Sequence, residues 1–160
     1  MHPEIIEWVN EARRLARPGA RVVEVGSGDM NGTVRQLFPA SDYVGVDLRI
    51  GAGMEILGDA RALPLQSDSC DLVLCLSVLE HVRCWRRIVL EIGRVLRLKG
   101  VAIITAAATG YPEHAGGTDY YGAIPPWRLA ALFQLHWRRW SLTAEPNSLG
   151  FPDVKAWAIK

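Results

Sequence analysis

The run Val22-Val23-Glu24-Val25-Gly26-Ser27-Gly28 places two closely spaced glycines directly after a short apolar segment. Bare backbone at the carboxyl end of a strand is where α/β proteins receive nucleotides. A side chain at Gly26 or Gly28 would push a ligand off the main chain, and glycine alone enters such a turn without strain. Asp47 follows the turn by about twenty residues, the distance at which an acidic group ending the second strand meets a ribose. A carboxylate accepts hydrogen bonds from both ribose hydroxyls better than a neutral side chain does. Gly58-Asp59-Ala60 ends a further apolar segment. A carboxylate at that depth can take a hydrogen bond from the exocyclic amine of adenine, and Ala60 leaves room for the ring. The glycine turn and Asp47 alone fit a nicotinamide cofactor and an adenosyl cofactor equally.

These residues need a frame. Ile5, Ile6, Trp8, Val9, Ala12, Leu15 and Ala16 recur at helical spacing, with Glu4, Glu7 and Glu11 early and Arg13, Arg14 and Arg17 late, the order the helix dipole favours. Pro18-Gly19 ends that helix. Strands are expected at Arg21–Val25, Tyr43–Leu48 and Glu55–Asp59, a buried central strand at Asp71–Leu76, and a fifth at Val101–Thr105. Helices are expected at Thr33–Phe38, at Arg83–Leu98 with an apolar stripe of Ile88, Val89, Ile92, Val95 and Leu96, and at Trp127–Leu135. Trp140–Ala144 and Val154–Ile159 have no helix between them, so they should pair antiparallel at one edge. The alternation implies an α/β fold: a Rossmann-like, doubly wound, mostly parallel seven-stranded sheet with an antiparallel C-terminal edge strand and helices on both faces. With 160 residues there is room for one such core, so residues 1–160 are read as one domain.

Apolar residues at 49% and charged residues at 22% are globular proportions. A net charge of +1 exerts no global pull on nucleic acid or acidic membranes, and the arginines at 83, 86, 87, 138 and 139 read as solvated helix faces. Cys70, Cys75 and Cys84 are odd in number and lack Cys-x-x-Cys spacing, which suits buried thiols in a reducing compartment. With no signal-like start and no stretch able to span a bilayer, the expected address is the cytoplasm. Nothing resembles a base-flipping motif or a nucleic-acid module, so neither nucleic acid nor membrane is an expected partner.

Five segments in register, Val22–Gly28, Asp47-Leu48, Gly58-Asp59-Ala60, Asp68–Val73 and Ser77–Val82, together resemble the class I S-adenosylmethionine-dependent methyltransferases, specifically the small type 11 group. The resemblance runs from about Val22 to Thr105 and more weakly to the C-terminus. It implies that the motif of Glu24, Gly26, Ser27 and Gly28 holds the methionine portion of the cofactor by its backbone. It further implies that Asp47 binds the ribose with Leu48 against the adenine, and that Gly58, Asp59 and Ala60 frame the adenine. Cys75 and Leu76 match the position whose backbone meets the cofactor amino group. One departure stands out: Met30 occupies the place of a frequent third glycine, so no cofactor contact is assigned to it, and Gly32 is read as a helix-start or close-approach residue.

The implied reaction moves a methyl group from S-adenosylmethionine to an unidentified acceptor, at oxygen or nitrogen in preference to carbon, and leaves S-adenosylhomocysteine. A sulfonium methyl is already activated, so alignment and water exclusion supply most of the rate, but an oxygen nucleophile also needs a base. His81, just past the fourth strand, and His114, in the polar loop from Thr109 to Pro126, are the catalytic candidates, although the Leu-Glu-His-Val run often serves only to open the next helix. Asp119-Tyr120-Tyr121 resembles a family segment whose following arginine is here Gly122, so no inherited anion contact is assigned. Related enzymes that bind a divalent ion use Glu-x-x-Glu-His; Ser77 replaces the leading glutamate, so no metal is expected, with Glu80, His81 and His114 as the alternative ligand set. The rival reading is a non-catalytic S-adenosylmethionine-binding sensor or scaffold; a nicotinamide-dependent reductase lacks room for a substrate domain. Few additions surround the predicted sheet, so the acceptor site should be open to a small molecule, glycan or carrier-bound intermediate, or be completed by a second subunit of a homodimer.

Overall fold

Every residue of β4 (Cys70–Leu76) is buried, and the sheet extends outward from it on both sides. The computed structural model describes residues 2–28, 32–39, 41–113 and 122–160. To one side of β4 lie β1 (Arg21–Val25), β2 (Asp42–Asp47) and the two-residue β3 (Ile56–Leu57); to the other lie β5 (Leu96–Ala107), β7 (Pro152–Ile159) and β6 (Arg139–Pro146). The seven strands run in the order β3-β2-β1-β4-β5-β7-β6, with the pairs from β3 through β5 parallel and both β7 pairs antiparallel. The last two strands close one edge as an antiparallel pair, as expected; β7, the reversed strand, sits inside it and β6 outermost.

Strand alternation sorts the core into two layers. Val23, Val25, Val73, Cys75 and Ile104 pack beneath α2 (Trp85–Val95) and α3 (Pro126–His136), whose Ile88, Ile92, Leu129 and Phe133 are fully buried. Val22, Leu72, Leu74 and Ile103 face α1 (Pro3–Ala12) through Ile5, Val9 and Ala12. This second face is thinly covered, and a cleft of about 230 Å³ lined by Trp8, Glu11, Leu15 and Trp157 opens beside α1.

Several expected boundaries move. The helix expected at Thr33–Phe38 is a single 3₁₀ turn, Arg35–Leu37. Pro39 keeps its predecessor out of the helical region, and so short a segment cannot repay helix nucleation. The first helix ends at Ala12 and continues as a 3₁₀ turn, Arg13–Leu15. The helix expected to reach Leu98 stops at Val95, because Leu96 is taken into β5 opposite Cys70. Pairing then steps to Leu72↔Val101, so residues 97–100 bulge out with Lys99 at φ 68°. The strand expected at Glu55–Asp59 shrinks to Ile56–Leu57, and Asp59 forms an isolated bridge with Ala62.

At the amino end of β4, Asp71 gathers Arg17 Nη2 (2.8 Å), the Arg21 backbone N–H (2.9 Å) and Arg97 Nη1 (3.0 Å). The Arg17 hydrogen bond leads in holding its carboxyl down at about 2. That charge cluster secures the sheet at the end opposite the glycine turn. Among the described residues no helix is long and apolar enough to cross a membrane.

Candidate active site

The carboxyl ends of β1 to β4 form one edge, and the glycine turn lies at its centre. Gly26 adopts φ +73°, and its N–H donates to Val46 O at 2.8 Å, tying the turn to the neighbouring strand. A Cβ on Gly26 would run into Val78 of the segment after β4. Asp47 ends β2 with both carboxylate oxygens already engaged: Oδ2 accepts from the Gly28 N–H at 2.9 Å and Oδ1 from the Arg49 N–H at 3.0 Å. The carboxylate is thereby fixed at the mouth of the turn, and each oxygen keeps a further lone pair for a ligand hydroxyl. Beside it, Leu48 is 63% exposed, an apolar surface suited to the face of a base. Ser27 is buried, and its hydroxyl has no partner among the described residues. These features fit an adenosyl cofactor: a left-handed turn, an oriented carboxylate, an exposed apolar side chain and an unspent polar group.

The third segment is knitted to the second. The Gly58 N–H donates to Asp47 O at 2.8 Å, and a Cβ on Gly58 would stand 2.7 Å from Pro64 Cδ and 3.1 Å from Val46 Cγ1. Ala60 packs beside them against the larger core layer. Asp59 is held by Arg61, whose Nη2 lies 2.6 Å from Oδ2 and whose backbone N–H lies 2.8 Å from Oδ1; Arg61 leads in pushing its carboxyl below the usual range. The Asp59 carboxylate is therefore charged and fixed by the half-exposed Arg61 guanidinium.

The structure separates the remaining expected residues by role. Glu24 is buried and accepts from the Tyr43 hydroxyl at 2.8 Å, so its side chain braces β1 against β2 while its backbone runs in β1 between Gly45 and Leu74, two residues before the turn. Cys75 is wholly buried on the α2 side, and burial drives its thiol above its ordinary range. Leu76 leads into Ser77, which takes φ +54° and donates its N–H to Thr105 O at 3.0 Å. The Leu79-Glu80-His81 run is a 3₁₀ turn that swings Glu80 inward and leaves His81 partly exposed at the rim. Glu80 is 2% exposed; Oε1 accepts from the Ala107 N–H at 3.2 Å and Oε2 has no partner among the described residues. Burial pushes its carboxyl up to about 7. Among the described residues no group of His, Cys, Asp and Glu is placed to hold a metal. His114, Met30 and Asp119-Tyr120-Tyr121 lie outside the described residues; Gly32 is exposed at φ +93°.

Sequence reasoning missed the brace beneath the turn. Arg35 grips Glu55 through two bonds of 2.7 Å, reaches Gly53 O at 3.0 Å and stacks over the Tyr43 ring at 4.6 Å. Glu55 Oε2 in turn accepts from the Gly45 N–H at 2.6 Å. Gly45 is the tightest point: a Cβ there would strike the Gly53 carbonyl oxygen and stand 2.5 Å from Ser27 Oγ. The available signal was a glycine inside a β-strand, which marks close approach of another backbone. Gly45→Ala is expected to destabilise the fold by about 2–3 kcal/mol through overpacking against main chain. The melting temperature should then fall by roughly 5–10 °C for a chain of this size. An unchanged melting curve would mean that the Gly53 segment yields freely.

The model of the methyltransferase-domain family matches residues 10–104, more than half of the chain. The chain belongs to this methyltransferase family. The methyltransferase shares its fold with the YcgJ protein of Bacillus subtilis, at 16% identity and TM-score 0.77 over 99% of both chains. It also resembles 1,6-didemethyltoxoflavin-N1-methyltransferase of Burkholderia thailandensis, solved with 1,6-didemethyltoxoflavin and S-adenosylhomocysteine bound, at 18% identity and TM-score 0.77 over 96% of this chain and 76% of that one. The [4+2]-cyclase SpnF is similar too, at 14% identity and TM-score 0.71 over 98% and 80% of the two chains. At these identities the likeness is one of fold. No curated protein matches the methyltransferase in sequence. Family membership makes S-adenosylmethionine its methyl donor.

Proposed function

We propose that this methyltransferase methylates an oxygen or nitrogen atom of an acceptor that approaches past the end of β4, with His81 as the general base. The observation that carries the reading is the placement of His81 at the rim, one 3₁₀ turn beyond the strand whose end borders the glycine turn. S-adenosylmethionine, when bound, supplies a methyl group on a cationic sulfur. The chain's own task is to align and to dry the site: Asp47 accepts from the ribose hydroxyls, Leu48 covers the adenine, and Asp59 takes the amine. The bare backbone of Gly26 to Gly28 admits the amino-acid end. His81 then accepts the proton that a hydroxyl or ammonium acceptor must lose, a task that suits imidazole near neutral pH. The acceptor class favoured is a small molecule, a glycan or a carrier-bound intermediate.

The test is release of S-adenosylhomocysteine with a panel of hydroxyl and amine acceptors. Turnover is expected with at least one of them, and His81→Gln is expected to lower kcat by about 10²-fold while cofactor affinity is kept. Tight binding of S-adenosylhomocysteine with no turnover on any acceptor would favour a binding module instead. A fold shared with a cyclase makes that outcome worth testing, since activity resides in the site and not in the fold.

A further inference from the structure

The outer edge of β6 carries eight residues, Arg139–Pro146, and no strand pairs with it among the described residues. Which of its backbone groups face outward follows from the ladder. Pro152 O accepts from the Ala108 N–H at 2.9 Å and the Lys160 N–H donates to Gly100 O at 3.1 Å, so residues 152 and 160 of this run turn toward β5. By alternation Asp153, Lys155, Trp157 and Ile159 turn toward β6, where they oppose Glu145, Thr143, Ser141 and Arg139. The Asn147 N–H bonded to Phe151 O at 2.8 Å continues the same series. The backbone groups of Trp140, Leu142 and Ala144 are therefore the ones aimed off the edge.

We propose that this edge pairs with β6 of a second copy of the chain, antiparallel about a twofold axis at Leu142. In that register Leu142 meets the partner's Leu142, and Trp140 meets the partner's Ala144. Each outward-aimed position exchanges two main-chain hydrogen bonds with its opposite. Arg139 falls beside the partner's Glu145, and Glu145 beside the partner's Arg139. Both lie at non-hydrogen-bonded positions, where cross-strand side chains approach most closely. Within its own chain Glu145 faces the acidic Asp153 across the ladder, and neither Arg139 nor Glu145 takes part in a described ion pair. Pro146, which cannot donate, falls outside the paired segment. Among symmetric registers that use the outward-aimed residues, only this one joins opposite charges. The segment 140–144 also carries none of the charges or prolines that guard edge strands.

Antiparallel pairing points the two cofactor edges in opposite directions. This dimer therefore leaves each acceptor mouth to its own chain, in contrast to a homodimer that completes the acceptor site. Light scattering of the full chain across a dilution series should show a species of twice the chain mass. Arg139→Glu and Glu145→Arg should each weaken the dimer by about tenfold or more, by replacing two attractive pairs with two repulsive ones. The double swap should restore it. A monomer at every concentration overturns the proposal, as does a dimer indifferent to the single substitutions or one not restored by the double swap. Hydrogen exchange on the unaltered protein gives a second reading: the amides of Trp140, Leu142 and Ala144 should gain protection with concentration, and fast exchange throughout would count against pairing. Affinity for S-adenosylhomocysteine should be the same in monomer and dimer, so this outcome is independent of the proposed activity.

Discussion

Asp47→Ala should weaken S-adenosylhomocysteine binding by about 10²-fold or more while the melting temperature stays close to that of the parent. The magnitude comes from two charge-assisted hydrogen bonds to ribose hydroxyls, each contributing about 1.5–3 kcal/mol. The substitution also frees the Gly28 and Arg49 N–H groups, now held by Oδ2 and Oδ1. The turn then keeps its Gly26 bond to Val46 but loses the one that holds Gly28. Stability should change little because Asp47 is only partly buried and stands at the end of its strand. Asp47→Asn separates the contributions: its carbonyl oxygen can still hold one N–H, but an amide has one acceptor where two hydroxyls need two. Calorimetric titration with S-adenosylhomocysteine checks both variants, and an affinity within threefold of the parent for Asp47→Ala would remove Asp47 from the cofactor site.

The second large effect is on stability against pH, and Glu80 sets its sign. Burial raises its carboxyl from 4.5 to about 7 in the fold, so the native state prefers the proton more strongly than the unfolded chain does. Stability from this group is fully present below pH 4.5 and is lost as pH rises through 7. The loss is about 3 kcal/mol. Asp153, also raised by burial, acts in the same direction nearby. The carboxylates held down by arginine, Asp71 foremost, act only in more acid solution and leave this window alone. Urea unfolding should therefore show the protein markedly more stable at pH 5 than at pH 8. Glu80→Gln keeps an oxygen for the Ala107 N–H without the charge, and should remove most of the slope. Equal slopes in the two proteins would show that Glu80 titrates as an ordinary carboxyl.

The pair of effects shows what the sequence disclosed and what it withheld. Asp47 is singled out by two local facts, the end of a strand and a distance from a glycine turn, and the structure does set it at the end of β2 with its carboxylate on the Gly28 N–H. Local order likewise disclosed the alternation of β-strands and helices and the antiparallel closing pair. Its limits appear where long-range pairing overrides local pattern. Leu96 carries a helical stripe yet is needed opposite Cys70, so the strand takes it. Glu80 is adjacent to His81 in sequence, and nothing local tells that the 3₁₀ turn sends its carboxyl inward to β5 while His81 stays partly exposed. The brace of Arg35, Tyr43, Glu55 and Glu24 joins residues up to 31 positions apart in sequence, and no periodicity announces it.

The packing at Gly58 bears on which substitutions this chain can accept. The obstacle to a side chain there is chiefly the ring of Pro64, with Val46 behind it, and not main chain as it is at Gly45. Positions 58 and 64 are therefore tied to each other. In this chain a methyl group at 58 meets the ring at 64 first, so Gly58→Ala is expected to be better tolerated once Pro64 is replaced by a residue without that ring. Position 45 has no such escape, because the carbonyl of residue 53 is there whatever its side chain. The two glycines thus differ in kind: one is opposed chiefly by a side chain that a second substitution can remove, the other by main chain that none can.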